Sequence, residues 1–178
     1  HDTGAAVVVM EIGQEVSWEG LPLVEQVNEG VRRGYGTGYL RKSIVDDPLN
    51  RVNTNDNTPA VLHTEIVPGN EVKITIMPKG GGSENMGAFK VLLPGEGAEG
   101  VKKFVLETVN RAGGNPCPPY IVGIGVGGTM DQCAWMAKKA LLRPIGEHNA
   151  NPYYAELEAE LLEAVNKTGI GPSGMGGT

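Results

Sequence analysis

Three consecutive glycines, Gly80, Gly81 and Gly82, follow Lys79 and precede Ser83 and Asn85. Glycine loses much backbone freedom on folding and offers no side chain to pack, so such a run indicates close approach of the main chain to another group. The N–H groups of these residues can form a concave site for an anion, to which Ser83 and Asn85 add donors and Lys79 adds charge. The alternative is a flexible surface loop.

Cys117 lies in the segment Asn-Pro-Cys-Pro-Pro, where prolines restrict the backbone on both sides of the cysteine. The thiol is therefore held in a defined direction. A single cysteine of this kind is otherwise a small buried hydrophobe. The second cysteine, Cys133, falls in the middle of a predicted helix and is interpreted as a core residue, so the sequence predicts no disulfide framework.

The stretch from Gly123 to Gly128 satisfies the pattern G-x-G-x-x-G between a predicted strand and a predicted helix. This arrangement suits a dinucleotide pyrophosphate at a helix N-terminus, and Glu147 lies near the spacing expected for a ribose carboxylate. A lone fingerprint is weak, and the preceding chain lacks repeated βαβ units. A dinucleotide-binding module therefore stays open as an alternative function.

Alternating and β-branched residues predict the strands that must position these groups. Residues 7–12 and 15–18 form one predicted hairpin around Gly13, and residues 61–67 and 71–77 form a second around Gly69. Further strands are predicted at residues 89–93 and 120–126.

Helices are predicted from apolar spacing and from their end signals. One covers residues 22–35, a second carries Val101 to Val109 and stops at Gly113, a third begins after Thr129 with a capping box, and a fourth begins at Asn151 and reaches residue 167. Residues 42–59 form a long polar loop. We therefore expect a mixed α/β (α+β) fold over residues 1–178, a single domain with paired antiparallel strands, a strand–glycine loop–helix unit and packed helices.

The charge balance excludes some classes of partner. The formal charge is −6, from 15 basic and 21 acidic residues. This argues against nucleic-acid binding and against a polybasic membrane surface. No apolar stretch approaches the roughly 20 residues of a membrane span, and no signal-peptide pattern begins the chain, so we expect a cytoplasmic protein.

The segment Lys-Gly-Gly-Gly-Ser-Glu-Asn-Met at residues 79–86 resembles the signature of the class I fumarase and tartrate dehydratase family. Further segments resemble the same family in the same order along the whole chain. They are residues 1–4, residues 41–48, residues 57–60, residues 117–129 and residues 169–178.

The resemblance implies a [4Fe-4S] cluster with Cys117 as a metal ligand and an open iron acting as a Lewis acid. It implies catalytic roles for Asp2 and Thr3, with His1 standing where glutamine is common. The substrate-binding residues that it implies include a carboxylate clamp from arginine. They are His1, Asp2, Arg41, Gly80, Gly81, Gly82, Ser83 and Asn85.

The function implied is reversible hydration of fumarate to (S)-malate, a step of the tricarboxylic acid cycle, or dehydration of tartrate. The resemblance also implies a β subunit or C-terminal domain as partner, in a homo- or hetero-oligomer, and it leaves the catalytic base unassigned. It places two further cluster cysteines before His1 and beyond Thr178, so we expect the chain to be a fragment of the α-subunit catalytic domain, inactive when isolated. A non-catalytic interaction domain is a third hypothesis.

Overall fold

A computed structural model describes residues 4–176 of the chain. By its internal contacts, the chain divides into two compact units, His1–Gly81 and Gly82–Thr178. Among the described residues, no helix combines the length and apolar character needed to cross a membrane. Each unit is described by itself.

The first unit is built on a three-stranded mixed sheet. The strands are β1 (Ala5–Gly13), β2 (Val61–Val67) and β3 (Val72–Lys79), in the order β2-β1-β3. β1 is parallel to β2 and antiparallel to β3. Residues 7–10 of β1 are all buried, which explains why a continuous apolar run occupies the central position. With five helices in the described residues, the mixed α/β class is confirmed.

The predicted hairpins are wrong in their pairing. Residues 15–18 form no strand, and β2 and β3 pair with β1 rather than with each other. The turn between β2 and β3 instead crosses the end of β1, where the Gly13 N–H donates to the Glu71 carbonyl at 2.8 Å. A Cβ atom at Gly13 would lie 2.3 Å from the Gly69 carbonyl oxygen, so only glycine fits beneath this crossing.

Helix α1 (Leu23–Thr37) confirms the helix predicted for residues 22–35. Its buried residues Val31 and Tyr35 cluster with Ala6 of β1. The helix thus packs near the beginning of the central strand, which is the end that carries the N-terminal motif.

Four α-helices follow β3 in the described residues. Helix α2 (Gly81–Glu84) is a single turn that starts at the boundary between the units. The longer helices α3 (Gly97–Ala112), α4 (Met130–Ala140) and α5 (Pro152–Asn166) confirm the three predicted from capping signals. The Asn151 side chain accepts from the Tyr153 N–H at 3.0 Å. Val105, Val109 and Leu161 form the core between α3 and α5.

The strands predicted at residues 89–93 and 120–126 are wrong. Both segments are described, and neither pairs in a sheet. Ile121, Val122 and Val126 are exposed. Gly123 and Gly125 instead bring this extended segment against α4, because Cβ atoms there would lie 2.2 Å from the Ala137 carbonyl oxygen and 2.1 Å from that of Cys133. Apolar composition alone did not distinguish a sheet strand from a segment packed on a helix.

Candidate functional site

In the first unit, the N-terminal motif meets the start of the glycine run. His1, Asp2 and Thr3 lie outside the described residues, and Gly4 is the first residue described. A Cβ atom at Gly4 would lie 2.0 Å from the Lys79 carbonyl oxygen and 3.0 Å from the Gly80 Cα atom. The chain entering β1 is therefore in direct backbone contact with the end of β3.

The loop that carries Arg41 joins the same place through Asn57. The Asn57 side chain is fully buried, and its Nδ2 donates to the Gly4 carbonyl oxygen at 2.9 Å. Its Oδ1 accepts from the N–H groups of Ser43 and Ile44 at 2.7 and 3.2 Å. Three segments singled out by the sequence thus meet at Gly4: the N-terminal motif, the Arg41 loop and the beginning of the glycine run.

The predicted polar loop at residues 42–59 is internally ordered. Val45 and Asn53 form an isolated antiparallel bridge. The Asp46 N–H donates to the Val52 carbonyl at 2.9 Å, and the Asn53 side chain donates to the Lys42 carbonyl at 3.0 Å. Arg41 itself is exposed at the beginning of this loop, so its guanidinium can meet a ligand.

Asp56 fastens the end of the loop to helix α1. Its carboxylate accepts from the hydroxyl and the N–H of Thr58 at 2.7 and 3.0 Å, and from Arg32 Nε at 2.9 Å. The Thr58 hydrogen bonds, followed by the Arg32 guanidinium, hold the pKa of the Asp56 carboxyl well below its usual range. Arg32 therefore takes part in ion pairs that link helix α1 to this loop.

In the second unit, the later part of the glycine run meets the loop of Cys117. A Cβ atom at Gly82 would lie 2.9 Å from the Asn115 carbonyl oxygen. The Asn115 side chain also donates to Met86 Sδ at 3.6 Å. Gly81 and Gly82 belong to the single turn α2, so the backbone there is a short helical turn. The predicted anion cradle of Gly80, Gly81 and Gly82 stays a prediction.

Cys117 is exposed and held by its backbone. Its N–H donates to the Gly114 carbonyl at 3.0 Å, and its φ of 58° is in the left-handed region that residues other than glycine seldom adopt. Such a conformation persists only where surrounding structure fixes it, and it is concentrated at functional positions. The interpretation of Cys117 as a buried hydrophobe is wrong, because the side chain is exposed.

A third glycine-rich segment contacts the Cys117 loop. A Cβ atom at Gly174 would lie 2.9 Å from the Gly114 Cα atom, and Gly174 has a φ of 72°. Across the same unit, Lys138 of α4 forms an ion pair with Glu84, within the segment Ser-Glu-Asn that includes Ser83 and Asn85. In the second unit, the end of the glycine run and the segment of Gly174 thus both contact the backbone two to three residues before the exposed Cys117.

The dinucleotide interpretation of Gly123 to Gly128 gains no support. Its fingerprint requires a strand before the glycines, and residues 120–126 form none. Two of the glycines are needed for contact with α4. Cys133 of α4, predicted to be a core residue, is half-buried rather than fully buried, and its Sγ donates to the Gly125 carbonyl at 3.2 Å.

Asn57 is the residue of this region whose position the sequence did not indicate. Sequence reasoning identified residues 57–60 as a motif and assigned Asn57 no task. The available signal was an asparagine late in a long polar loop, since asparagine tolerates the left-handed conformation that Asn57 adopts, with a φ of 64°.

Comparisons with known proteins agree over the whole length of the chain. The model of the family described as fumarate hydratase (Fumerase) matches residues 1–178. A Methanocaldococcus jannaschii protein provisionally named L(+)-tartrate dehydratase subunit alpha is 46% identical over 183 residues, which cover 99% of this chain and 64% of that protein. The L(+)-tartrate dehydratase subunit alpha of Escherichia coli K12 is 37% identical over 181 residues, covering 99% of this chain and 59% of the relative.

Proposed function

We propose that this chain, which belongs to the fumarate hydratase (Fumerase) family, is part of a hydro-lyase acting on a small dicarboxylate. The reaction is reversible hydration of fumarate to (S)-malate or dehydration of tartrate. Relatives named as alpha subunits of tartrate dehydratase support this proposal. The chain spans about three fifths of the length of these relatives, 64% and 59%, so the activity is proposed for the complete enzyme.

The surroundings of Cys117 support the proposal most strongly. The thiol is exposed, its backbone is fixed in a left-handed conformation, and its loop contacts two glycine-rich segments of the second unit. A cysteine that merely filled the core would need none of these features. They suit a ligand that must present its sulfur at a defined position.

Cys117 fits as one ligand of a [4Fe-4S] cluster, which when bound would supply a Lewis acid for the substrate hydroxyl. Such a cluster needs several ligands. Among residues 4–176, no group of three His, Cys, Asp or Glu side chains could hold a metal ion. The proposal therefore assigns the remaining ligands to other parts of the complete enzyme.

The residues proposed for substrate binding are those that the sequence motifs indicate. The Arg41 guanidinium would bind a carboxylate through two parallel hydrogen bonds. The glycine run and the residues that follow it would offer N–H and side-chain donors to a carboxylate. The proposed set is Arg41, Gly80, Gly81, Gly82, Ser83 and Asn85. His1, Asp2 and Thr3, outside the described residues, keep their predicted roles in binding and proton transfer.

The complete enzyme is proposed to include a β subunit or a C-terminal domain, in agreement with the alpha-subunit names of the relatives. Residues 1–178 then act as one catalytic portion in a cytoplasmic oligomer. Since this chain supplies one cluster thiolate in its described part, we expect the chain alone to be inactive. Turnover of fumarate or tartrate by the purified chain without a partner would contradict that expectation.

The test uses the complete enzyme, reconstituted anaerobically with iron and sulfide. Cys117→Ser should abolish the visible absorption of the cluster, because one thiolate ligand is removed. Its turnover number should fall by at least about 100-fold. Cys133→Ser is the matched control, since serine can keep the hydrogen bond to Gly125, and it should retain both properties. The proposal fails if Cys117→Ser retains the cluster and the turnover. It also fails if the wild-type enzyme does not hydrate fumarate and does not dehydrate tartrate.

A further inference from the structure

Among the described residues, Asn57 is the polar residue that is fully buried. A buried amide that lacks hydrogen-bond partners destabilises a protein, so a fully buried amide indicates that its hydrogen bonds have a specific task. The neighbouring polar residues of the same loop, such as Asn53 and Asn55, are exposed. Asn57 therefore differs in burial from the other asparagines of its loop.

The hydrogen bonds of Asn57 fix the orientation of its amide. Two backbone N–H groups, of Ser43 and Ile44, point at one end and require an oxygen. The Gly4 carbonyl oxygen faces the other end and requires a donor. Only one orientation satisfies all three bonds, and a carboxylate in the same place would face the Gly4 carbonyl with a second acceptor.

The Gly4 carbonyl oxygen, which accepts from Asn57 Nδ2, belongs to a residue with several further contacts. Gly4 contacts the backbone of Lys79 and Gly80, and its carbonyl also accepts from the buried Tyr35 hydroxyl at 3.5 Å. Gly4 directly precedes β1, the central strand of the sheet. A hydrogen bond to Gly4 therefore ties its partner to the sheet.

The two N–H groups that donate to Asn57 Oδ1 belong to residues two and three positions after Arg41. Asn57 holds the N–H groups of Ser43 and Ile44, and the intervening Lys42 carbonyl accepts from Asn53. Through Asn57, the backbone that follows Arg41 is thus hydrogen-bonded to Gly4, the residue that directly precedes the sheet. A displacement of about 1 Å in a group that orients the substrate can lower the rate by about 100-fold.

We infer that Asn57 is a positioning residue that fixes Arg41 for carboxylate binding. This inference rests on the proposed function. Asn57 contacts no substrate. Its task is to tie the backbone that follows Arg41 to Gly4, so that the guanidinium is ordered before the dicarboxylate binds.

The test is a double-mutant cycle in the complete enzyme with fumarate and tartrate as substrates. Asn57→Asp should lower kcat/KM by about 10- to 100-fold, mainly through KM, because ground-state binding of the carboxylate is weakened. In an Arg41→Ala background the same substitution should lower kcat/KM by less than about 2-fold, because its effect passes through Arg41. Asn57→Gly, which accepts the left-handed backbone, provides a second variant if Asn57→Asp does not fold.

Val9→Ala is the matched control, since Val9 is buried in the central strand of the same unit and lies outside the cluster that contains Tyr35 and Ala60. It should lower the melting temperature and leave KM within about 2-fold of wild type. Equal effects of the Asn57 variants with and without Arg41 would overturn the inference while leaving the proposed function intact. Loss of the proposed function shows separately, as a wild-type enzyme without turnover or an Arg41→Ala variant with unchanged KM, and either result overturns the inference as well.

Discussion

The two units hold their functional segments by different means. In the first unit, the segments meet at a buried point, where Gly4 contacts Lys79 and the fully buried Asn57 supplies three hydrogen bonds. In the second unit, the segments meet at a surface loop, where Gly82 and Gly174 contact the backbone next to the exposed Cys117. The proposed substrate clamp at Arg41 would benefit from a rigid base, whereas the proposed metal ligand Cys117 must stay accessible to its metal.

The largest effect on the free energy of unfolding is expected from a larger side chain at Gly4. Gly4→Ala should destabilise the protein by about 3 kcal/mol, because its Cβ would lie 2.0 Å from a backbone oxygen of a paired strand. Chemical denaturation of the protein measures this change in the free energy of unfolding. Gly30→Ala is the control, since a Cβ at that helical position of α1 meets nothing within 4 Å, and it should stabilise by about 0.5–1 kcal/mol.

A smaller effect is expected at the surface meeting point of the second unit. Gly174→Ala should destabilise by about 1–2 kcal/mol, because alanine is strained at a φ of 72° and its Cβ would press on Gly114. Gly95→Ala, where a Cβ meets nothing within 4 Å, is the control. If Gly174→Ala proved more destabilising than Gly4→Ala in the same denaturation assay, the contrast between the two units would be wrong.

The smallest effect is expected from pH, through Asp56 beside Asn57. Its folded-state pKa lies below the unfolded value, so its carboxylate stabilises the fold above the ordinary carboxyl pKa and loses this contribution as the pH falls. Asp56→Asn should therefore melt slightly below wild type at pH 7, and the difference should shrink below about pH 4. Melting curves from pH 7 to pH 3 measure it, and a difference that is constant with pH would contradict the assignment.

The contrast also shows which features the sequence could predict. Helix ends followed from local chemistry, as with Asn151 before Pro152, whose side chain caps the Tyr153 N–H. Strand pairing did not, because Gly69 suits a turn whether the flanking strands pair with each other or with a third strand. β1 separates them, and its partners lie far from it in the chain.

The candidate site was predictable as a set of segments and not as an arrangement. Cys117 and Arg41 were predicted as site residues because each lies in a distinctive motif, and their roles stay predictions. The bridge made by Asn57 reaches residues 13 and 53 positions away, and no local pattern encodes such contacts. The predicted strand at residues 120–126 failed for a related reason, since Gly123 and Gly125 serve contact with a later helix.

The central place of β1 has a consequence for biosynthesis. β1 is the most apolar strand, and it is translated before β2 and β3, which leave the ribosome only after the whole Arg41 loop. Until then β1 lacks the two strands that pair with it here, which favours association between nascent chains or binding of a chaperone. Slow translation between residues 13 and 61 should thus lower the yield of folded protein more than an equal delay after residue 79.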